Sequence, residues 1–131
     1  MSNINKVWGE RRRMLLTDRC EIDLLYLKDN TFCSTHSHAH KINRFVVVTG
    51  KVKIETEFGS KILKQNDAWD VRPSLVHRFV ALADSVMVEM AFVENGKIDP
   101  DDINRISQGG KIIDGTEMTH DELREKGMLD L

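Results

Sequence analysis

Residues 34–50 read STHSHAHKINRFVVVTG and place His36, His38 and His40 at alternate positions. Alternate side chains of an extended strand leave one face about 7 Å apart, so three imidazoles can lean toward one point. A helix would spread the same residues over about 200°. A fourth histidine, His77, lies in VRPSLVHRFVAL, residues 71–82, where a proline turn leads into an apolar run. Two histidines from one strand and one from a distant strand suit a metal site in a β-barrel. Neutral imidazole accepts Zn, Fe, Mn or Ni, with softness and geometry choosing among them. A divalent transition metal is the expected cofactor.

The elements that must position these side chains are short strands. Residues 21–27 are rich in branched and aromatic side chains and end at an Asp29-Asn30 turn. Residues 32–40 are expected to form the histidine strand, with Cys33 and Thr35 at the opposite parity to His36 and His38 and so facing away. Residues 43–48 turn at Thr49-Gly50 into residues 51–57, where Val52, Ile54 and Thr56 alternate with Lys51, Lys53 and Glu55 as in a half-buried strand. Turns at Phe58-Gly59-Ser60 and Gln65-Asn66-Asp67 separate further strands over 69–71, 77–82 and 86–93. Strands at these intervals, with no helical period between residues 21 and 93, indicate a sandwich or barrel.

The flanks read differently. Residues 1–5 are polar and expected to be loose, and Gln108-Gly109-Gly110 to be a flexible joint; Arg11, Arg12 and Arg13 are expected to form a solvated strand edge, with a phosphate- or partner-binding role as the alternative. Thr119-His-Asp-Glu122 is a capping box that predicts a short helix over 120–126, stopped at Gly127. Leu123, Met128, Leu129 and Leu131 give this tail an apolar side. The expected organisation is a barrel domain over 1–110 and a tail with a short helix over 111–131.

Composition narrows the partners. The net charge of −2 over 131 residues carries no electrostatic commitment to nucleic acid or to a membrane surface. Five Phe and one Tyr are scattered, so no base-stacking strip is read. No apolar run approaches the roughly 18 residues of a membrane span. Cys20 and Cys33 show neither metal-knuckle nor redox spacing and read as reduced thiols of a cytoplasmic protein.

The order His36-x-His38, four residues, Asn43, six residues, Gly50, followed by Pro73 and His77, resembles the two short motifs of the cupin superfamily. Asn43 stands where that family has glutamate, and Ser74 where it has glycine. Trp8-Gly9, NRFVVVTGKVK over 43–53 and Asp101-Asp-Ile-Asn-Arg105 are similar, in order, to the cupin domain of type II mannose-6-phosphate isomerases, which are often fused to mannose-1-phosphate guanylyltransferases. The resemblance implies an all-β fold, a cupin jelly-roll β-barrel, to which the capping box adds the short C-terminal helix. It implies a metal held by His36, His38 and His77. The isomerases usually carry Gln and Glu where this chain has His36 and Asn43. An amide is a weak, neutral ligand, so the site is expected to behave as three histidines plus water, an open arrangement.

Isomerase chemistry asks for a small-molecule substrate, a sugar or sugar phosphate, whose C1 and C2 oxygens are polarised while a base moves a proton between the carbons. His40 is the expected base, with Glu55 or Glu57 available if strand register brings one inward. Arg44, Arg72 and Lys41 are expected to hold the substrate phosphate, with Arg78 flanking them, and Arg105 to be structural. A non-catalytic sugar- or small-acid-binding cupin and a three-histidine iron dioxygenase are the alternatives. A homodimer is expected from sheet-edge pairing.

Overall fold

The computed structural model describes residues 3–129, so residues 1 and 2 of the loose segment and Leu131 of the apolar tail lie outside the described residues. One sheet runs, in spatial order, β1 (Asn3–Lys6), β2 (Gly9–Leu16), β3 (Cys20–Leu27), β11 (Ser85–Phe92), β6 (Ile42–Thr49) and β9 (Ala68–Val71). The other runs β12 (Asn104–Ser107), β5 (Thr35–Ser37), β10 (His77–Ala81), β4 (Thr31–Phe32), β13 (Gly110–Ile113) and β14 (Thr116–Thr119). There β7 (Lys51–Thr56) pairs with β10, and β8 (Gly59–Lys64) with β7. Neighbouring strands pair antiparallel in both sheets, and α1 (His120–Glu125) closes the chain. This is an all-β cupin jelly roll with a short C-terminal helix.

Period-two alternation sets which side chains fill it. The inward positions of β3 are Glu21, Asp23, Leu25 and Leu27, those of β6 are Asn43, Phe45 and Val47, and those of β11 are Met87, Glu89 and Ala91. Register then stacks them in layers. Met87 lies opposite both Leu25 and Val47, Glu89 opposite Asp23 and Phe45, and Ala91 opposite Glu21 and Asn43. Each of these strands is therefore apolar toward one end of the barrel and polar toward the other. The apolar end is closed by Val52, Ile54, Leu63 and Phe79 into a dry core. The polar end stays open and holds the site.

Three local expectations are corrected. The histidine strand is interrupted at residues 33 and 34: β4 pairs with β13, whereas β5 pairs with β12. Parity does not carry across that break, so Cys33 is buried against the core, its Sγ accepting the Phe79 N–H at 3.2 Å. Residues 3–6 are not loose but form β1, which covers β2. Arg13 consequently lies in an interior strand and turns to Asp23 and Glu21, at 2.6 and 2.9 Å. The Gly109-Gly110 segment is a tight crossing rather than a joint. A Cβ on Gly109 would sit 2.6 Å from the Phe32 carbonyl oxygen, and one on Gly110 still closer to that of Met118.

The predicted helix is present, and both of its ends follow from sequence. Thr119 accepts the Glu122 N–H while the Glu122 carboxylate accepts the Thr119 N–H. At the other end Gly127 takes φ 67°, and the N–H groups of Met128 and Gly127 return to the carbonyls of Leu123 and Arg124. Leu123 is fully buried, and β13 and β14 join the segment to the sheet that carries β4. No helix among the described residues is long and apolar enough to cross a membrane. Replacing Leu123 by Ala should remove about 2–5 kcal/mol of stability. Chemical denaturation checks this, and an unchanged midpoint would mean that the helix contributes nothing to the folded unit.

Candidate metal centre

His36 comes from β5, His38 from the loop after it, and His77 from the first residue of β10. His36 and His77 are directly opposite in register, which brings their ring centroids to 4.5 Å. His38 stacks edge-on to His36 at 4.9 Å, and the three rings offer ligand atoms within 4.8 Å of one another. All three side chains are buried.

Each Nδ1 meets a backbone carbonyl: Ser34 at 2.7 Å for His36, Asp102 at 2.6 Å for His38 and Leu75 at 2.9 Å for His77. A carbonyl only accepts, so the proton sits on Nδ1 and the lone pair on Nε2. The Nε2 of His77 is buried with no hydrogen-bond partner. Burial, then the neighbouring rings, depress His36 to about 3. Burial lowers His77 to about 4 and also takes His38 below its ordinary value. Three neutral imidazoles with converging lone pairs fit a divalent transition metal.

Asn43 is buried beside this group. Its Nδ2 donates to His38 Nε2 at 3.0 Å and to Glu89 Oε2 at 3.2 Å, while Oδ1 finds no partner. Glu89 opens into the cavity rather than to bulk water. Desolvation, then Asp23 and Glu21, raise its carboxyl to about 7. The cavity holds about 420 Å³ and is lined by His36, His38, Asn43 and Glu89 at its base and by Trp8 and Phe79 along one wall.

The loop that carries His38 is held from outside the motif. The Asp102 carboxylate accepts the N–H groups of Ala39, His40 and Lys41 at 2.8, 2.9 and 3.3 Å, while its carbonyl orients His38. Burial alone would raise that carboxyl, but the three donors take it below its ordinary value. Ser74, at the position of the family glycine, has φ 69° and donates its N–H to the His38 carbonyl at 2.6 Å. The left-handed conformation required there explains the glycine preference.

Of the residues expected as base or substrate contacts, His40, Arg44, Arg72, Arg78, Glu55 and Glu57 fall outside the cavity and Lys41 lines it. His40 is exposed and lines a separate shallow groove with Ser74 and Asp99. Arg44 pairs with Asp70 at 2.7 and 2.8 Å, and Arg72 with Glu94 at 3.2 Å, both on the outer surface. Arg78 is engaged by Glu55 and Glu117 above the Phe32 ring, and Glu57 is exposed near Val76. Lys41 does reach the cavity. Its Nζ lies 2.8 Å from Glu21 Oε1, as an ion pair rather than an aligned hydrogen bond, and donates to the Pro100 carbonyl. Sequence reasoning missed Glu89, Lys6 and the placement of Arg105 in the cavity lining, and held a phosphate- or partner-binding role for Arg11 only as an alternative to a solvated edge. A lone glutamate inside the apolar run SVMVEMAF was the signal available for the first of these.

Comparison with known proteins agrees with this fold. The family model described as mannose-6-phosphate isomerase C-terminal matches residues 1–108. A mannose-1-phosphate guanylyltransferase of Sinorhizobium fredii is 26% identical over 101 residues, which are 76% of this chain and 20% of that protein. The chain thus spans about a fifth of that relative's length. Among solved structures, Streptomyces PAC13 with uridine superposes with a TM-score of 0.69 at 11% identity, covering 82% of this chain and 84% of the other. PAC13 is described as a nucleoside dehydratase. An RmlC-like cupin of Shewanella frigidimarina gives 0.61 at 16% identity, covering 71% and 78%. These two likenesses show the cupin fold.

His36 and His77 should remain neutral and Nδ1-protonated as the pH is lowered from about 7 to about 5. Unfolded imidazoles take up protons from about pH 6.5 downward. Between there and the folded values the unfolded chain binds more protons, so these rings make stability fall as the pH drops through that window. Nitrogen–proton correlation spectra report the tautomers, and imidazolium signals from either residue at pH 6 would contradict the assignment.

Proposed function

The chain belongs to the mannose-6-phosphate isomerase C-terminal family, and from that membership we propose that it is a metal-dependent isomerase of an open-chain sugar phosphate. The observation that carries this reading is the grouping of three neutral imidazoles with ligand atoms within 4.8 Å, two of which, His36 and His38, line a cavity that also holds a carboxyl raised to about 7. His36, His38 and His77 would hold the ion. A divalent cation there would supply Lewis-acid polarisation of the sugar oxygens.

Glu89 replaces His40 as the proposed base, because it faces the cavity and its affinity for a proton is matched to neutral pH. As carboxylate it would take the proton from C2, next to the C1 carbonyl, and as acid return a proton to C1, while the C2 hydroxyl gives up its proton and the C1 oxygen gains one, so that the carbonyl moves from C1 to C2. Asn43 holds Oε2 in place during both transfers. Trp8 and Phe79, packed edge-on with centroids 5.2 Å apart, keep bulk water off that wall.

The test uses protein loaded in turn with Zn, Mn, Fe(II) and Ni. Aldose phosphate should convert to ketose phosphate with solvent deuterium entering at C1 of the ketose, and Glu89→Gln should lower turnover by about 10²–10⁴-fold with metal content unchanged. The neutral donor set also suits a barrel that binds a sugar without turnover, or a three-histidine iron dioxygenase. Tight binding of metal and sugar phosphate without conversion selects the first, and oxygen consumption that requires Fe(II) selects the second.

A second copy of the chain is the proposed macromolecular partner. β1 ends its sheet, and Met14, Leu15 and Leu16 of β2 are exposed beside it. Sedimentation equilibrium at micromolar concentration should give twice the chain mass, and a single-chain mass would rule the pairing out.

A further inference from the structure

Three cations, Lys6, Arg11 and Arg105, line the cavity outside the ion pairs described above. Lys6 and Gly9 are directly opposite in the β1–β2 hairpin, and Arg11 lies two residues beyond Gly9, so Lys6 and Arg11 leave the hairpin on one face. Arg105 of β12 lies opposite His36 in the other sheet, which directs it to the same opening. All three line the cavity. Among the described residues none of them has an ion-pair partner, whereas Arg13, Lys41, Arg44, Arg72 and Arg78 each have one.

The carboxylates that line the cavity have other partners, although Arg11 acts on Glu89 through space. Glu21 is shared by Arg13 and Lys41, Asp23 is bonded by Arg13, and Glu89 is held by Asn43. The cavity is therefore sorted by charge: Glu21 and Asp23 are buried in its base, while Lys6 and Arg105 are exposed at its rim. Burial, followed by Arg11 and Arg105, holds the Lys6 ammonium below its ordinary value, as expected where like charges crowd without a counterion. Unpaired cations gathered from two sheets around one opening are the electrostatic counterpart of a small anion.

We propose that Lys6, Arg11 and Arg105 form an anion site at the cavity rim that receives the dianionic phosphate of a phosphomonoester and leaves the hydroxyl-bearing carbons directed at the histidines. This rests on the isomerase reading for the identity of the remainder of the substrate, and on the geometry alone for the anion. Two guanidinium groups and an ammonium match a dianion with three terminal oxygens better than a single carboxylate. Arg105 is then a substrate contact rather than the structural residue its motif suggests. Arg44 and Arg72, tied to Asp70 and Glu94, take no part.

Calorimetric titration with inorganic phosphate, and separately with acetate, tests the site in the full chain. Phosphate should bind in a salt-sensitive manner, acetate at least about tenfold more weakly, and Arg105→Gln or Arg11→Gln should weaken phosphate by about tenfold or more. Arg44→Gln should leave it unchanged. Arg44 and Arg105 are exposed and Arg11 is half-buried, and circular dichroism checks that each variant is folded. Equal affinity for phosphate in wild type and both cavity variants, or acetate bound as tightly as phosphate, would overturn the proposal. Intact, rim-dependent phosphate binding in a protein that converts no sugar phosphate overturns the isomerase reading alone.

Discussion

The Nδ1 atoms of His36, His38 and His77 are each held by a backbone carbonyl, and the usefulness of the cavity depends on those three hydrogen bonds. An imidazole can present a lone pair from either nitrogen. Bonding one to an obligate acceptor forces the proton there and aims the other nitrogen inward. Burial reinforces the choice, since a charged ring in this setting would face two neighbouring rings and little water. Backbone, rather than side chains, sets the chemistry of the centre. That makes it insensitive to much substitution around it and sensitive to the path of residues 34, 75 and 102.

The barrel can afford a polar interior at one end because its charges are compensated in place. Glu21 and Asp23 sit in positions that on the same strand are otherwise filled by Leu25 and Leu27. They persist there because Arg13 reaches over from β2 and Lys41 from the loop after β5. Unpaired, either carboxylate would meet a steep desolvation penalty. The apolar layer of Met87, Leu25 and Val47 supplies the rigidity that lets the next layers carry polar groups.

Much of this was legible in the sequence where a period or a spacing has one physical solution. The alternation through Val52 and Ile54, the turn at Gly50 and the capping box at Thr119 each correspond to one local geometry, and the structure has it. His36, His38 and His77 were found because two short spacings place them. Long-range pairing was not legible. Arg44 and Arg72 flank the histidine motifs in sequence, yet Asp70 and Glu94, more than twenty residues away, draw them outward. Cys33 was misplaced because parity assumes an unbroken strand, whereas β4 and β5 both pair with β10 but are separated at residues 33 and 34, with β13 beside one and β12 beside the other. Lys6 and Arg11 depend on a hairpin that polar residues near the start of the chain did not advertise.

Asp102 has a consequence for the order in which the protein becomes competent. The carbonyl that orients His38 lies 64 residues further along the chain, and the same residue's carboxylate gathers three N–H groups of the histidine loop. Contacts of such sequence separation form only after the intervening segments have closed. During vectorial synthesis the histidines of β5 emerge long before the residue that aims one of them. A chain cut after β11 would carry all three rings but lack both the carbonyl that orients His38 and the carboxylate that gathers its loop.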